Sequence, residues 1–240
     1  MTMSSASRRG PDLPYSVVAG AMPCATGWLV ASAKLQGTIF STEFPQVIES
    51  FIDVIDQRPS YSVIALNAPI GYLDERVIGG RTCDRQARAL LRHRGGAVHS
   101  APQRSTFEQG AEGHEDHLDA VSKKLLPRYR EVALEMAPYR QRSVYEVQSE
   151  LSFYQLNGDV PLRWRKRSEK GMLERKELLE KKVPGVEKIL TSQFDRVPYS
   201  HMLDVAALLW TARRVFARAA LRIPADAEFD EEGLRMEIVY

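Results

Sequence analysis

The chain has 240 residues, of which 44% are hydrophobic and 27% charged, the balance of an ordinary globular protein. A net charge of +2 does not require a nucleic-acid or membrane partner. The two cysteines, Cys24 and Cys83, stand in no spacing typical of a zinc site or a disulfide framework. No stretch approaches the roughly 18 apolar residues that span a bilayer. We therefore expect a cytoplasmic protein without a membrane partner: a disordered tail over residues 1–13 and a single domain over 14–240.

Short apolar segments with brief connections predict a meander of three antiparallel strands near the N-terminus. These segments span residues 15–19, 28–33 and 37–41. Apolar residues three and four apart then predict a helix from Thr42, its expected N-cap, to Ile55. Residues 62–71, SVIALNAPIG, predict a fourth strand ended by a Pro-Ile-Gly turn. This order favours a mixed sheet in which the fourth strand runs parallel beside the first.

The remaining chain alternates predicted helices with a few strands, which indicates one α/β domain. The predicted helices span residues 81–94, 116–136, 169–182 and 200–220, and strands are predicted at 143–147, running into a helical ELSFYQL, and at the C-terminal RMEIVY. Residues 104–117 are predicted to form a surface loop, a candidate lid.

Four arginines lie on one stripe of the predicted helix at 81–94. Arg81, Arg85, Arg88 and Arg92 follow at steps of four, three and four, and Asp84 can pair with Arg88. Each guanidinium fork can bind two phosphate oxygens, so the stripe suits a phosphate-bearing ligand. A solvated helix face has the same pattern, and both interpretations stay open. The basic run RWRKR at 163–167 adds a modest indication of nucleic-acid binding.

Polar residues at the ends of predicted elements are the candidate site residues. Asn67 follows the fourth strand, where a side chain can face a ligand or complete its own turn. Glu146 and Glu150 flank a strand-to-helix junction, where they can share a cation, or Glu150 can favour the helix N-terminus. Asp204 is the sole acid in the apolar run from Met202 to Trp210, and a buried carboxylate needs a partner or a metal.

Several motifs occur in the order seen in a known family. They are PCATGWLVA, NAPIGY, RTCDRQARALLRHR, SAPQR, EVQSELSF, LDVAALLWTARR and GLRMEIVY. With them, residues 15–240 resemble the domain-of-unknown-function 429 family, described as predicted nucleases with a ribonuclease H-like fold. The resemblance implies an α/β fold: a three-strand meander, then parallel strands, with helices on both faces.

The resemblance also implies a metal-dependent hydrolase in which carboxylates gather Mg²⁺ or Mn²⁺ around a phosphodiester. Glu146, Glu150 and Asp204 match the family's acids and are the expected metal ligands and catalytic residues. Asn67, Arg81, Asp84, Arg85 and Arg88 are the expected phosphate- or substrate-binding set. Family members, however, typically carry aspartates where this chain has Met22 and Asn67. A thioether and a neutral amide are poor ligands for a hard cation, so an impaired enzyme is expected.

Three hypotheses follow. The first is an active divalent-metal-dependent nuclease or phosphodiesterase that uses the three remaining acids. The second is a non-catalytic protein that binds nucleic acid or another phosphate-bearing ligand through the arginine helix, with Arg92, and the basic run. The third is a nucleotide-hydrolysing relative of sugar kinases and actin-like proteins, disfavoured because the chain has no Gly-rich phosphate loop.

Overall fold

A computed structural model of the chain describes residues 14–107 and 118–240. The predicted tail at residues 1–13 and most of the predicted loop at 104–117 lie outside the described residues. No helix in the described ranges is both long and apolar enough to cross a membrane.

The described chain forms a six-stranded mixed sheet, a two-stranded hairpin and seven α-helices. The strands are β1 (Ser16–Cys24), β2 (Gly27–Gln36), β3 (Ile39–Thr42), β4 (Gln46–Ile48), β5 (Tyr61–Leu66), β6 (Val144–Glu146), β7 (Arg222–Phe229) and β8 (Arg235–Val239). The α-helices are α1 (Phe51–Ile55), α2 (Thr82–Leu91), α3 (Ala120–Glu135), α4 (Ser149–Leu156), α5 (Glu169–Lys182), α6 (Glu187–Leu190) and α7 (Tyr199–Phe216). Short 3₁₀ turns cover Arg92–Ala97, Arg104–Phe107 and Pro138–Arg142.

The large sheet has the strand order β3-β2-β1-β5-β6, and β4 also pairs with β2. Strands β1, β2 and β3 are antiparallel, whereas β5 runs parallel to β1 and β6 parallel to β5. The predicted meander and the parallel neighbour of the first strand are therefore confirmed. Because β1, β5 and β6 are parallel, their carboxyl ends lie at one edge of the sheet.

Helices cover both faces of the sheet, and each face has its own apolar core. Helices α4, α5 and α7 contribute to one core, and α1 and α3 to the other. Helix α7 lies directly on β1, because a Cβ atom at Gly20 would approach Leu209 N to 2.5 Å. A third cluster joins α2 to the β7–β8 hairpin.

The predicted helix from Thr42 to Ile55 is wrong over most of its length. Thr42 ends β3, and residues 46–48 form β4, in which Val47 pairs with Leu29 of β2. Only Phe51–Ile55 is helical, with Ser50 as its N-cap. The β-branched Val47 and Ile48 gain more from pairing with a buried strand than from a helix, so the sheet overrides the 3.6-residue pattern.

Two smaller differences concern α2 and β7. The predicted helix at 81–94 ends at Leu91, where Arg92 adopts a φ of 49° and a 3₁₀ turn follows. The sequence does not predict strand β7, because RIPADAEF contains a proline and shows no regular alternation of apolar and polar residues. It forms only through its pairing with β8.

Candidate functional site

The carboxyl edge of β1, β5 and β6 brings three of the predicted positions together. Ala21 pairs with Leu66, and Leu66 pairs with Glu146, so Met22 and Asn67 lie one residue further along their strands. The Asn67 amide donates to the Ala21 carbonyl oxygen at 2.8 Å. This edge is where parallel sheets most often bind ligands.

Met22 at this edge belongs to the apolar core. Its side chain is only 4% exposed and lies in the cluster formed with buried residues of α7, among them Val205 and Leu209. The position at which the resemblance implies an aspartate is thus filled by a thioether packed among aliphatic side chains. It supplies dispersion contacts and no charge.

Glu146 ends β6 in an ion-pair network with Arg81 and Asp84. Arg81 donates to Glu146 Oε1 at 2.6 Å and Oε2 at 2.8 Å, and to Asp84 Oδ1 at 2.8 Å. The Ile70 amide also donates to Glu146 Oε2, at 2.6 Å. All three charged side chains are buried. One guanidinium is therefore shared by two buried carboxylates.

The pKa values in this network follow from burial and charge. Burial raises the pKa of Glu146, and the Arg81 guanidinium opposes that shift. Burial alone would lower the pKa of Arg81, but the neighbouring Asp84 and Glu146 carboxylates raise it well above its ordinary value. Burial likewise raises the pKa of the adjacent Cys83 thiol. Arg81 therefore stays charged, whereas burial raises the pKa of Glu146 to about 7.

The four arginines of the predicted stripe do not share one exposed helix face: Arg85 and Arg92 are exposed, whereas Arg81 is buried. Arg81 precedes α2 and is buried, and Asp84 pairs with it instead of with Arg88. Arg88 donates to the carbonyl oxygens of Gly79 (2.5 Å) and Val98 (3.0 Å). Arg85 contacts the Gly80 carbonyl oxygen and donates to Thr82 Oγ1 at 2.8 Å. Of the four predicted positions only Arg85 and Arg88 lie within α2, and the spacing could not reveal the loop between β5 and α2, whose carbonyl oxygens accept from these side chains.

Glu150, in the first turn of α4, has two arginine partners. Arg175 donates to both carboxylate oxygens, each at 2.8 Å, and Arg94 donates to Oε1 at 2.8 Å. Arg175 is fully buried, although it lies in the charged helix α5. Sequence reasoning missed both arginines, since nothing in the lysine- and glutamate-rich pattern of α5 marks one basic residue as buried.

Asp204 lies in the second turn of α7 with no exposed surface, and its partner is a lysine. The Lys166 ammonium contacts Asp204 Oδ2, and the Lys166 side chain is 29% exposed. Among the described residues, neither oxygen of Asp204 accepts a hydrogen bond of ordinary geometry. Burial lowers the pKa of His201, one turn before Asp204, and the Lys166 charge lowers it further.

The residues at this edge do not fit the metal centre that the resemblance implies. Over residues 14–107 and 118–240, no group of three or more His, Cys, Asp or Glu side chains could hold a metal ion. Glu146, Glu150 and Asp204 each face a different basic side chain instead. Two positions that would add negative charge are occupied by Met22 and Asn67. A dication would have to displace ammonium and guanidinium groups that the fold holds in place.

A basic segment, residues 163–170, remains exposed at the start of α5. Its basic residues are Arg163, Arg165, Lys166, Arg167 and Lys170, and all but Lys166 are exposed. The Arg163 guanidinium and the Lys170 ammonium each lie 4.8 Å from the Trp164 ring centroid.

The basic segment has a fixed backbone. The amides of Arg163 and Trp164 donate to the Glu174 carboxylate at 3.0 and 3.2 Å. Ser168 accepts from the Gly171 amide at 3.1 Å and caps α5. A Cβ atom at Gly171 would lie 2.0 Å from the Arg165 carbonyl oxygen, so the turn packs against the helix closely enough to require glycine. These contacts present the exposed cations on a backbone that is already ordered.

Comparison with known proteins places the chain in a family and goes no further. No curated protein and no solved structure matches it. The family described as "Protein of unknown function (DUF429)" matches residues 12–229, which is most of the chain. The strand order, the acids and the arginines discussed above thus lie within the matched region, and the chain belongs to the DUF429 family.

Proposed function

We propose that this protein is a non-catalytic member of its family that binds single-stranded nucleic acid on a ribonuclease H-like fold. An antiparallel meander followed by two strands parallel to the first supports the fold assignment. One observation carries the functional proposal: Glu146, Glu150 and Asp204 each pair with a basic side chain of the chain itself. Among the described residues, the basic segment then offers four exposed basic side chains to a ligand.

The charge balance at the edge argues against two-metal catalysis. That mechanism needs carboxylates free to hold two dications and to clamp the attacking and leaving oxygens. Here Glu146 and Glu150 are engaged bidentately by arginines, and Met22 is part of the core. Divalent-dependent phosphodiester hydrolysis remains the competing hypothesis, and the experiment below includes it.

The chemistry of the basic segment suits phosphate groups. Three exposed guanidinium groups, those of Arg163, Arg165 and Arg167, alternate along five residues, and each can hold two phosphate oxygens. Binding of such cations to nucleic acid releases counterions, so affinity falls steeply with salt. Basic residues interleaved with an aromatic ring are typical of single-strand binding surfaces.

The test is fluorescence anisotropy with a labelled single-stranded oligonucleotide, measured over a series of salt concentrations. The triple variant R163Q/R165Q/R167Q should bind more weakly. Its slope of log affinity against log salt should be smaller by roughly 2, because each phosphate neutralised on a single strand contributes about 0.7. The matched control K124Q/R130Q/K182Q removes the same net charge at exposed positions elsewhere. It should bind almost as the wild type does. If both triple variants lose the same affinity, the loss is explained by net charge alone, and the basic segment is not the binding surface.

A parallel assay addresses catalysis. The same oligonucleotide is incubated with millimolar Mn²⁺ or Mg²⁺ and with EDTA. We expect no cleavage in either condition. Cleavage that needs the divalent ion and disappears in Glu146→Gln would establish the competing nuclease hypothesis.

A further inference from the structure

The Asp204 carboxylate is a buried charge that the proposed function does not use. It lies in an apolar stretch of α7, next to Leu203 and Val205, and has no solvent-exposed surface. An ionised carboxylate in such surroundings is strongly destabilising unless a counter-charge lies beside it. The only cation in contact with it among the described residues comes from outside its own helix, from Lys166 of the basic segment.

The other groups near Asp204 do not supply that counter-charge. His201 lies one turn earlier on α7, and its Nδ1 atom has no hydrogen-bond partner within the described chain. Arg167 is exposed. Lys166 is partly buried, and its flexible stem brings a compact ammonium into contact with Oδ2. A single tethered charge thus sits where the resemblance would place a metal ion.

We propose that Lys166 is the built-in counter-cation of Asp204 and that this ion pair latches the basic segment to α7. The pair has two consequences. It stabilises a buried carboxylate, and it fixes the centre of the basic segment between the exposed Arg165 and Arg167. The inference deepens the proposed function and rests on it in one respect, because Lys166 would be a positioning residue for the binding surface.

The two partners differ in what happens when the other is removed. In Lys166→Met, Asp204 stays buried and unpaired, since α7 packs on the sheet and cannot expose it. In Asp204→Asn, Lys166 can move to solvent, because its side chain is already 29% exposed. We therefore expect a larger loss of stability in K166M than in D204N. The double variant K166M/D204N should recover at least half of the K166M loss.

Thermal unfolding without nucleic acid measures this order. Breaking a buried pair from one side should lower the Tm of K166M by about 6 °C or more. The matched control is Lys176→Met, which breaks an ion pair with Glu180 whose side chains are 45% and 51% exposed. Its Tm should change by only about 1 °C. If K166M fails to fold but K166M/D204N folds, the recovery shows equally that the unpaired Asp204 carboxylate destabilises the protein.

Limited trypsin digestion tests the latch itself. D204N leaves every lysine and arginine of the basic segment in place, so a faster cleavage there reports a loosened segment. We expect cleavage within residues 163–167 to be several-fold faster in D204N than in the wild type and in K176M. The proposal is overturned if D204N is cleaved at the wild-type rate, if K166M melts like K176M, or if the double variant is no more stable than K166M.

These measurements are independent of the proposed function. If the latch behaves as expected but the oligonucleotide does not bind, the ion pair stands and the proposed ligand is wrong. If the oligonucleotide binds through Arg163, Arg165 and Arg167 but D204N is cleaved normally, the proposed function stands and the latch is wrong.

Discussion

Helix α2 and the basic segment are two arginine-rich regions among the described residues, and they use arginine in opposite ways. The arginines at α2, Arg81, Arg85 and Arg88, donate to carboxylates, carbonyl oxygens and hydroxyls of the protein itself. The arginines of the basic segment, Arg163, Arg165 and Arg167, are exposed. The same residue type at a regular spacing thus closes a loop in one region and leaves charge for a ligand in the other.

The difference arises from what lies within reach of each side chain. The loop between β5 and α2 turns back over the helix and presents its carbonyl oxygens, and Glu146 arrives from β6. The basic segment is held through its backbone amides, which donate to Glu174, and through Lys166, so the side chains of its arginines stay exposed. The way in which each region is anchored, more than its number of arginines, therefore determines which guanidinium groups stay exposed.

The largest expected effect comes from removing Arg81. In Arg81→Met, Glu146 and Asp84 remain buried beside each other without a cation. Urea denaturation should show a loss of about 3–5 kcal/mol or more in the free energy of unfolding. In the control Arg163→Met the loss should stay within about 0.5 kcal/mol, because the side chain is exposed. Similar losses in both variants would remove the contrast between the two regions.

A second variant adds a negative charge where the protein has none. Met22→Asp places a carboxylate among aliphatic side chains of β1 and α7, and we expect a loss of about 3 kcal/mol or more in stability. Asn67→Asp, at a half-buried position on the same edge, should cost less. Addition of Mn²⁺ to the double variant should restore little stability, because Lys166 and Arg81 still neutralise the other acids. Strong stabilisation by Mn²⁺ would show that carboxylates at residues 22 and 67 are sufficient to create a metal site.

Single substitutions sharpen the comparison for binding. Arg165→Gln should weaken oligonucleotide binding several-fold and lower the salt slope by about 0.7. Arg85→Gln, also at an exposed position but tied to the loop before α2, should change affinity little. Anisotropy titrations at two salt concentrations distinguish the two. A larger loss of affinity in Arg85→Gln than in Arg165→Gln would indicate that the oligonucleotide binds at α2 and not at the basic segment.

The smallest effect concerns Cys83, next to Arg81. Burial raises the pKa of the Cys83 thiol, and the carboxylates of Glu146 and Asp84 raise it further, whereas the Arg81 guanidinium opposes the shift. Native protein should therefore be alkylated by iodoacetamide at Cys83 only after unfolding in urea. Cys83→Ser leaves Cys24 as a buried reference thiol. Rapid native labelling at Cys83 would mean that the Arg81 charge is not fully compensated.

The sequence alone determined the elements whose signals are local. Apolar runs and helical spacing predicted β1, β2, β5 and α7, and the bounds of α5 match the prediction. The parallel pairing of β5 with β1 followed from the element order. The absence of an acid at residues 22 and 67 is also visible directly in the sequence. These features depend on residues close in the chain or on simple rules of connection.

Tertiary structure decided which charges meet. Glu146 lies 65 residues from Arg81, and Asp204 lies 38 residues from Lys166, so no local pattern links them. Val47 pairs with Leu29 of β2 instead of forming part of a helix, and β7 is a strand because it pairs with β8. Burial makes an unpaired charge or an unpaired strand unfavourable, and which partner relieves it depends on how distant elements pack. The candidate site was therefore visible in the sequence as a set of acids, but its chemistry was set by the cations that the fold placed beside them.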